Sequence, residues 1–397
     1  MTEKLYYQDT YLKEFTAVTE QVSVSEKEVR VSLDRTAFYP EGGGQPADTG
    51  MIRTNDGTAF AVYDTQEDNG VIWHYIKTAD TSLIPQPGDQ VTGIIDWVRR
   101  FDHMQQHSGE HIVSGMICSR FNCDNTGFHM GEETVEIDYN ARISFEEALE
   151  IEREANEYIW QDHAFTEIWP SAEELKEIHY RSKKELEGDV RITSFPGADI
   201  CACCGTHVSG SAQIGLVKFI SARNFHDGTR LELLCGKRAM DYLSMNFTEN
   251  KAAAVLLSTS ESETAGHVEK LMAENIGLKA ENTALEERLT ENLAESYMGQ
   301  ENVLVAEDWL SPLSARKLAD RIADICGGIT AVFAKKDGGY SYSVIQRDSD
   351  ISGFIKEMNA ALNGRGGGRN GFAQGSVQAD KAEIERFWME RFKEQDK

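Results

Sequence analysis

The chain has 397 residues, more than one typical domain holds, so roughly two to four domains are expected. Its 40% hydrophobic and 27% charged residues suit ordinary buried cores, whereas a net charge of −26 opposes broad, nonspecific nucleic-acid binding because phosphates are repelled at long range. The start, MTEKLYYQDTYLKEF, is too polar for a signal peptide, and no apolar run nears the roughly 20 residues of a membrane span, so a cytoplasmic protein is expected.

Residues 1–95 alternate apolar and polar in short runs such as VSVSEKEVRVSL, AFAVYD and GVIWHYI, the pattern of antiparallel strands. Between them lies TAFYPEGGGQPADTG (36–50), where Gly42, Gly43 and Gly44 permit positive φ or close backbone approach. The period changes at Asp96. Trp97, Phe101, Met104, Ile112, Val113 and Met116 recur at helical spacing, and His103, His107 and His111 form a column beside that stripe. GFHMGEETVEID reads as strands, 145–190 as charged and helical, FPGADICACCGTHV as a loop, and IGLVKFIS and RLELLCG as strands.

Residues 251–299 are rich in Ala, Glu, Leu and Lys. Leu271, Leu278 and Leu285 stand seven apart, which predicts a long helix or short coiled coil with a seam weakened by Asn275 and Asn282. The remainder returns to alternating strands and helices around a second glycine cluster, NGRGGGRNGFAQGS. Basic groups at Arg99-Arg100, Arg181 to Lys184, Arg316-Lys317 with Arg321, and Arg365 with Arg369 read singly as solvated charge.

The chemistry concentrates in HSGEH (107–111) and CACCGTH (201–207). Two histidines at i and i+4 project to one side of a helix, close enough to share an ion, although the column at 103, 107 and 111 offers two competing pairs. A cysteine and a histidine four apart in a glycine-containing loop make a second half-site, and together the halves suit zinc's preference for tetrahedral nitrogen and sulfur ligands. Seven cysteines, an odd number, with Cys201, Cys203 and Cys204 within four residues, speak for metal or catalytic use in a reducing compartment. A rival is the H-x-x-E-H zinc-protease signature with Glu110 as general base, which needs a third ligand and an open coordination position.

These motifs resemble those of the AlaX-type alanyl-tRNA editing proteins, related to the editing domain of alanyl-tRNA synthetase. TAFYPEGGGQPADTG resembles the family's glycine-rich loop, HSGEH its paired histidines and CCGTH its cysteine-x3-histidine motif. NGRGGGRNGFAQGS resembles the signature of the DHH-associated C-terminal domain carried by longer members. The resemblance implies an α+β chain with a β-barrel-like domain (1–95), a zinc-dependent editing domain (96–250), a helical linker (251–300) and an α/β C-terminal domain (301–397).

It further implies zinc ligands His107, His111, Cys203 and His207, with Cys201 and His103 as extra candidates. Thr36, Gln45, Gly42, Gly43 and Gly44 are implied at the substrate, Thr36 contacting its side chain. Arg365, Gly366, Gly367, Gly368 and Arg369 are candidates for meeting tRNA. The implied activity is ester hydrolysis of tRNA(Ala) mischarged with serine or glycine, by a possible homodimer formed through the linker or C-terminal domain. An alternative class is a zinc-stabilised RNA-binding protein without catalysis, since four protein ligands also describe structural zinc.

Overall fold

A computed structural model describes residues 1–25, 28–182 and 189–392, which fall into two compact units, Met1–Asn250 and Lys251–Lys397. In the first unit, β1 (Glu14–Val24), β2 (Val29–Leu33), β3 (Gly50–Thr54), β4 (Ala59–Asp68), β5 (Val71–Lys77) and β6 (Gln90–Ile95) close a barrel in the order β1-β2-β5-β4-β3-β6. All six pairings are antiparallel. Alternation decides this, because one residue in two points inward: Phe15, Val31, Leu33, Ile52, Phe60, Val62 and Val91 fill the interior. The segment 36–48 leaves the barrel and doubles back, with Gly42 and Gln45 exchanging two backbone hydrogen bonds.

Helix α1 (Trp97–Phe121) starts where the Asp96 side chain accepts from the amide of Arg99, and ends at Asn122 in the left-handed region. Its histidine column does not flank a buried face as the sequence pattern predicts. Every residue from His103 to Gly115 is buried, because the helix is enclosed on all sides. One enclosing layer is a four-stranded sheet of β7 (Asn125–Met130), β8 (Val135–Tyr139), β12 (Val217–Phe225) and β13 (Gly228–Cys235), in the order β12-β13-β8-β7. Ile112, Val113 and Ile117 of α1 share one core with Ile137, Leu231 and Leu233 of that sheet.

Helix α2 (Phe145–Trp160) opens with a capping box between Ser144 and Glu147. The helix predicted over 145–190 ends there, since beyond Ile159 the charged sequence has no apolar stripe to bury. Residues 166–202 instead supply β9 (Thr166–Ile168), β10 (Ile192–Phe195) and β11 (Asp199–Ala202) of a small antiparallel sheet, while 183–188 lie outside the described residues. Part of the predicted cysteine loop is therefore strand. Asp199 and Cys201 point inward and Ile200 outward as β11 pairs with β10.

In the second unit, beyond the end of α3 (Gly236–Leu257), α4 (Thr264–Ser296) packs on α5 (Pro312–Ile325). The unit's sheet has β14 (Glu301–Glu307), β15 (Gly327–Lys336), β16 (Gly339–Ile345), β17 (Gly364–Arg369) and β18 (Phe372–Val377) in the order β14-β15-β16-β18-β17. Only β14 and β15 pair in parallel, and α6 (Ser352–Ala361) and α7 (Lys381–Phe392) complete the core. No helix among the described residues is long and apolar enough to cross a membrane.

Two basic groups are internal fasteners. Lys317 and Arg321 pair with Glu287 and Glu291, joining α5 to α4, and Arg100 forms a fully buried ion pair with Asp48. Arg181 bonds Asp199, while Lys183 and Lys184 lie outside the described residues.

Candidate metal centre and cavity

The four residues implied as ligands converge. Donor atoms of His107, His111, Cys203 and His207 all lie within 4.8 Å of one another, and Cys203 Sγ is 3.4 Å from Nε2 of His107. One helical turn brings His107 and His111 together, while His207 is carried in by the loop after β11. This loop passes so close that a Cβ at Gly205 would sit 2.1 Å from Cε1 of His107. No larger residue fits between loop and helix without moving one of them.

Each imidazole is oriented from behind. Nδ1 of His107 meets Gln45 Oε1 at 2.9 Å, Nδ1 of His111 meets Asp199 Oδ2 at 2.7 Å, and Nδ1 of His207 meets Ser108 Oγ at 3.3 Å. This leaves the three Nε2 atoms for the centre, and among the described residues that of His207 is buried with no hydrogen-bond partner. A buried orphan nitrogen is costly, and three outward-braced imidazoles around one sulfur are how proteins build metal sites. The residues present therefore fit a metal ion.

Electrostatics favour the same sulfur. Burial pushes the Cys203 thiol up, but the imidazoles of His107 and His111 outweigh it and hold the thiol well below its usual range. Burial alone dominates at Cys201 and keeps its thiol raised. For His111, burial opposes charge, yet the Cys203 sulfur and the Asp199 carboxylate lift its pKa to about 9. His207 is pushed down to about 3 by burial. Cys201 lies near His111 and Asp199, but the Asp199 carboxylate already serves His111 and Arg181. His103 stands outside the four-donor group, and burial together with Arg99 and Arg238 pushes it to about 3.

The centre opens to a cavity of about 830 Å³, a size usual for a small-ligand site. Gly43, Gly44, His107, His111, Phe128 and Cys203 line it, with Tyr7 and Trp169 further along the wall. Gly43 and Gly44 adopt φ of 61° and 84°, a conformation that favours glycine, and a Cβ on Gly44 would strike the Phe128 ring at 2.5 Å. Gly42 is not in the wall.

Two expected substrate contacts are placed differently. Gln45 is fully buried: its Oε1 also accepts from the Thr206 amide and its Nε2 donates to Thr206 Oγ1, so it braces His107. Thr36 is fully buried behind the loop, outside the cavity wall. Its Oγ1 lies 2.8 Å from His74 Nε2 and accepts from the Phe38 amide at 3.1 Å. Because His74 Nδ1 donates to the Val31 carbonyl, its Nε2 accepts, and the threonine hydroxyl is committed on both counts. Thr36→Val is therefore expected to cost about 1–3 kcal/mol of stability, by leaving the two partners unpaired. Denaturant midpoints measure this, and a variant as stable as the wild type would show that the hydroxyl is not committed to His74 and Phe38.

Glu110 takes no place beside the donors. Its Oε1 accepts from Ser114 Oγ and Asn125 Nδ2, both at 2.7 Å, in a buried network with Tyr139. That removes the general base the protease reading requires. Sequence reasoning also missed Asp199 and Arg181. For Asp199 the only signal is a buried-strand alternation that the cysteine-rich composition obscured, while Arg181 reads as one member of a basic run.

Residues 2–99 match the family model of class II (A) tRNA synthetases, 190–231 the threonyl and alanyl tRNA synthetase second additional domain, and 300–393 the DHHA1 domain. The alanyl-tRNA editing protein AlaX-L of Pyrococcus horikoshii is 29% identical over 97% of this chain and 96% of its own length. Alanine–tRNA ligase of Pyrococcus abyssi is 29% identical over 95% of this chain, which spans 42% of that enzyme. AlaX-M of Methanosarcina barkeri is 37% identical across 94% of its own length, which covers 56% of this chain. With the glycine loop, the histidine pair and the cysteine-histidine loop assembled around one cavity, the chain belongs to the alanyl-tRNA editing protein family.

Proposed function

We propose that the cavity is the site where this trans-editing hydrolase cleaves the aminoacyl ester of mischarged tRNA(Ala), with His107, His111, Cys203 and His207 holding zinc. The carrying observation is the convergence of four donors, three braced from behind, on an open cavity walled by the glycine loop. A pocket selecting alanine cannot strongly reject the smaller glycine or the similarly shaped serine, so a separate site must remove them. Zinc, when bound, supplies a Lewis acid that can fix an amino or hydroxyl group of the substrate. This chain's residues do the rest. Gly43 and Gly44 admit the substrate close to the backbone, Phe128 and Tyr7 wall it from water, and Gln45, Asp199 and Ser108 hold the imidazoles.

Release of serine and glycine from seryl- and glycyl-tRNA(Ala), with alanyl-tRNA(Ala) as control, tests the reading. If folded, zinc-loaded protein cleaves neither ester, the non-catalytic RNA-binding class takes its place.

The second unit contributes tRNA contact and self-association. The glycine cluster is an edge strand, so part of its backbone is committed to β18 and is not free for phosphate. Gly368 is required by that pairing, since a Cβ there would sit 1.7 Å from the Phe372 carbonyl oxygen, whereas Gly367 faces open space. Arg365, Gly367 and Arg369 share one face by strand alternation, an exposed cationic strip with a flat centre. Replacing both arginines by glutamate should weaken tRNA binding and lower the salt dependence of log K by about two phosphate contacts. Hydrolysis at saturating substrate should persist, and unchanged tRNA affinity would assign the strip elsewhere.

Leu271, Leu278 and Leu285 of α4 remain 55%, 60% and 46% exposed, a leucine row spaced for a second copy. Leu278→Lys should shift sedimentation from dimer to monomer. A wild-type chain that sediments as a monomer overturns this.

A further inference from the structure

One stretch of the cavity wall has no part in the metal centre. Trp169 follows β9 and lines the cavity, and it is half exposed. Its ring meets the Tyr7 ring edge-on at 5.4 Å, the one ring contact it makes among the described residues. Tyr7 is locked: its hydroxyl donates to the Cys204 carbonyl at 3.1 Å, and the Arg191 guanidinium covers its ring at 5.1 Å. The Tyr7 hydroxyl thus ties this wall to the loop that bears Cys203 and His207.

An ester cleaved at the centre carries its ribose with it, and the base attached to that ribose must lie one sugar's breadth away along the wall. Among the described residues of the wall, phosphate pairing is poorly provided for. Besides the imidazoles, the basic side chains described there are Lys4, whose ammonium already meets both carboxylate oxygens of Glu67, and Arg191, buried against Glu167 and the carbonyls of Cys203 and Gly205. What the wall offers instead is an aromatic ring held from behind.

We propose that Trp169, backed by Tyr7, is the stacking platform for the terminal adenine of the tRNA, so that base stacking holds the 3′ end over the centre. This deepens the ester-hydrolysis reading and rests on it for the identity of the ligand. Stacking on an aromatic side chain suits a nucleobase without reading its edge, and fits an enzyme whose discrimination lies in the aminoacyl group.

The test is a double cycle between protein and RNA. The probe is a CCA-ended acceptor minihelix carrying serine through a hydrolysis-resistant 3′-amide, and the same RNA with an abasic terminal ribose. Wild-type protein should bind the abasic probe about 5- to 100-fold more weakly, the loss expected for one base–aromatic stack. Trp169→Ala should lose a similar factor on the intact probe and little more on the abasic one, while Trp169→Phe keeps most of the affinity. Zinc content serves as the folding control, since Trp169 is not one of the four donors.

If the two losses multiply, or if Trp169→Ala binds both probes as the wild type does, the platform is elsewhere. Ester hydrolysis measured in parallel separates the two ideas. Tight, coupled probe binding without cleavage sinks the enzymatic reading and leaves the platform. Cleavage with uncoupled losses does the reverse.

Discussion

Cys203→Ala is expected to remove most of the bound zinc from dialysed protein, while Cys201→Ala leaves about one ion per chain. Structural zinc binds with roughly 10–16 kcal/mol, so one ligand of four is worth about 3 kcal/mol, more than a hundredfold in affinity. The geometry separates the thiols although they are two residues apart. Cys203 belongs to the four-donor group, whereas Cys201 is a buried side chain of β11 whose Sγ–H points at the Ala202 carbonyl. Cleavage of seryl-tRNA(Ala) should fall with the metal in the first variant and stay near wild type in the second. Equal zinc loss in both would mean that the thiolate is shared or misassigned.

Arg100→Leu should be the most damaging single change to stability in the first unit. Nε of Arg100 bonds both Asp48 oxygens at 3.0 and 2.9 Å, and its other nitrogens donate to the carbonyls of Thr10 and Ala37. Both side chains are essentially inaccessible to water. Removing the guanidinium strands a buried carboxylate, at a cost of about 3–5 kcal/mol. Removing both charges in Arg100→Leu/Asp48→Leu should recover part of that loss, because no carboxylate is then stranded, although the Tyr39 amide and the carbonyls of Thr10 and Ala37 stay unpaired. Denaturant midpoints of the three proteins measure this. A single variant within 0.5 kcal/mol of wild type would show that water reaches Asp48. The same change should loosen zinc, since Asp48 accepts from the Tyr39 amide and so fixes the base of the loop carrying Gly43, Gly44 and Gln45.

How much of this was legible in the linear chain depends on the range of the interaction concerned. The barrel strands, α1 and the mixed second unit follow from local periodicity, because period 2 and period 3.6 are written into neighbouring residues. Two half-sites were legible as well, since an i, i+4 pair and a cysteine-x3-histidine loop each carry their geometry within one turn. Which histidines and which cysteine go together was implied only by the resemblance, and the fold gathers His107, His111, Cys203 and His207. Beyond Ile159 the charged run favoured helix locally, yet without an apolar stripe it became connections and β9, whose strand partner comes from residues 192–195. Composition likewise assigned the second glycine cluster to no element, and pairing with β18 makes it an edge strand.

The roles of individual polar residues were decided only by packing. The resemblance implied substrate contacts at Thr36 and Gln45, but the folded loop turns one hydroxyl to His74 and one amide to His107 and Thr206. Arg100 looked like surface charge until Asp48, 52 positions earlier, was folded against it. Asp199 became a brace for His111 only when β11 came to lie beside α1. A hydrogen bond needs its partner within about 3 Å, and residues far apart in sequence acquire such partners only when the chain closes on itself.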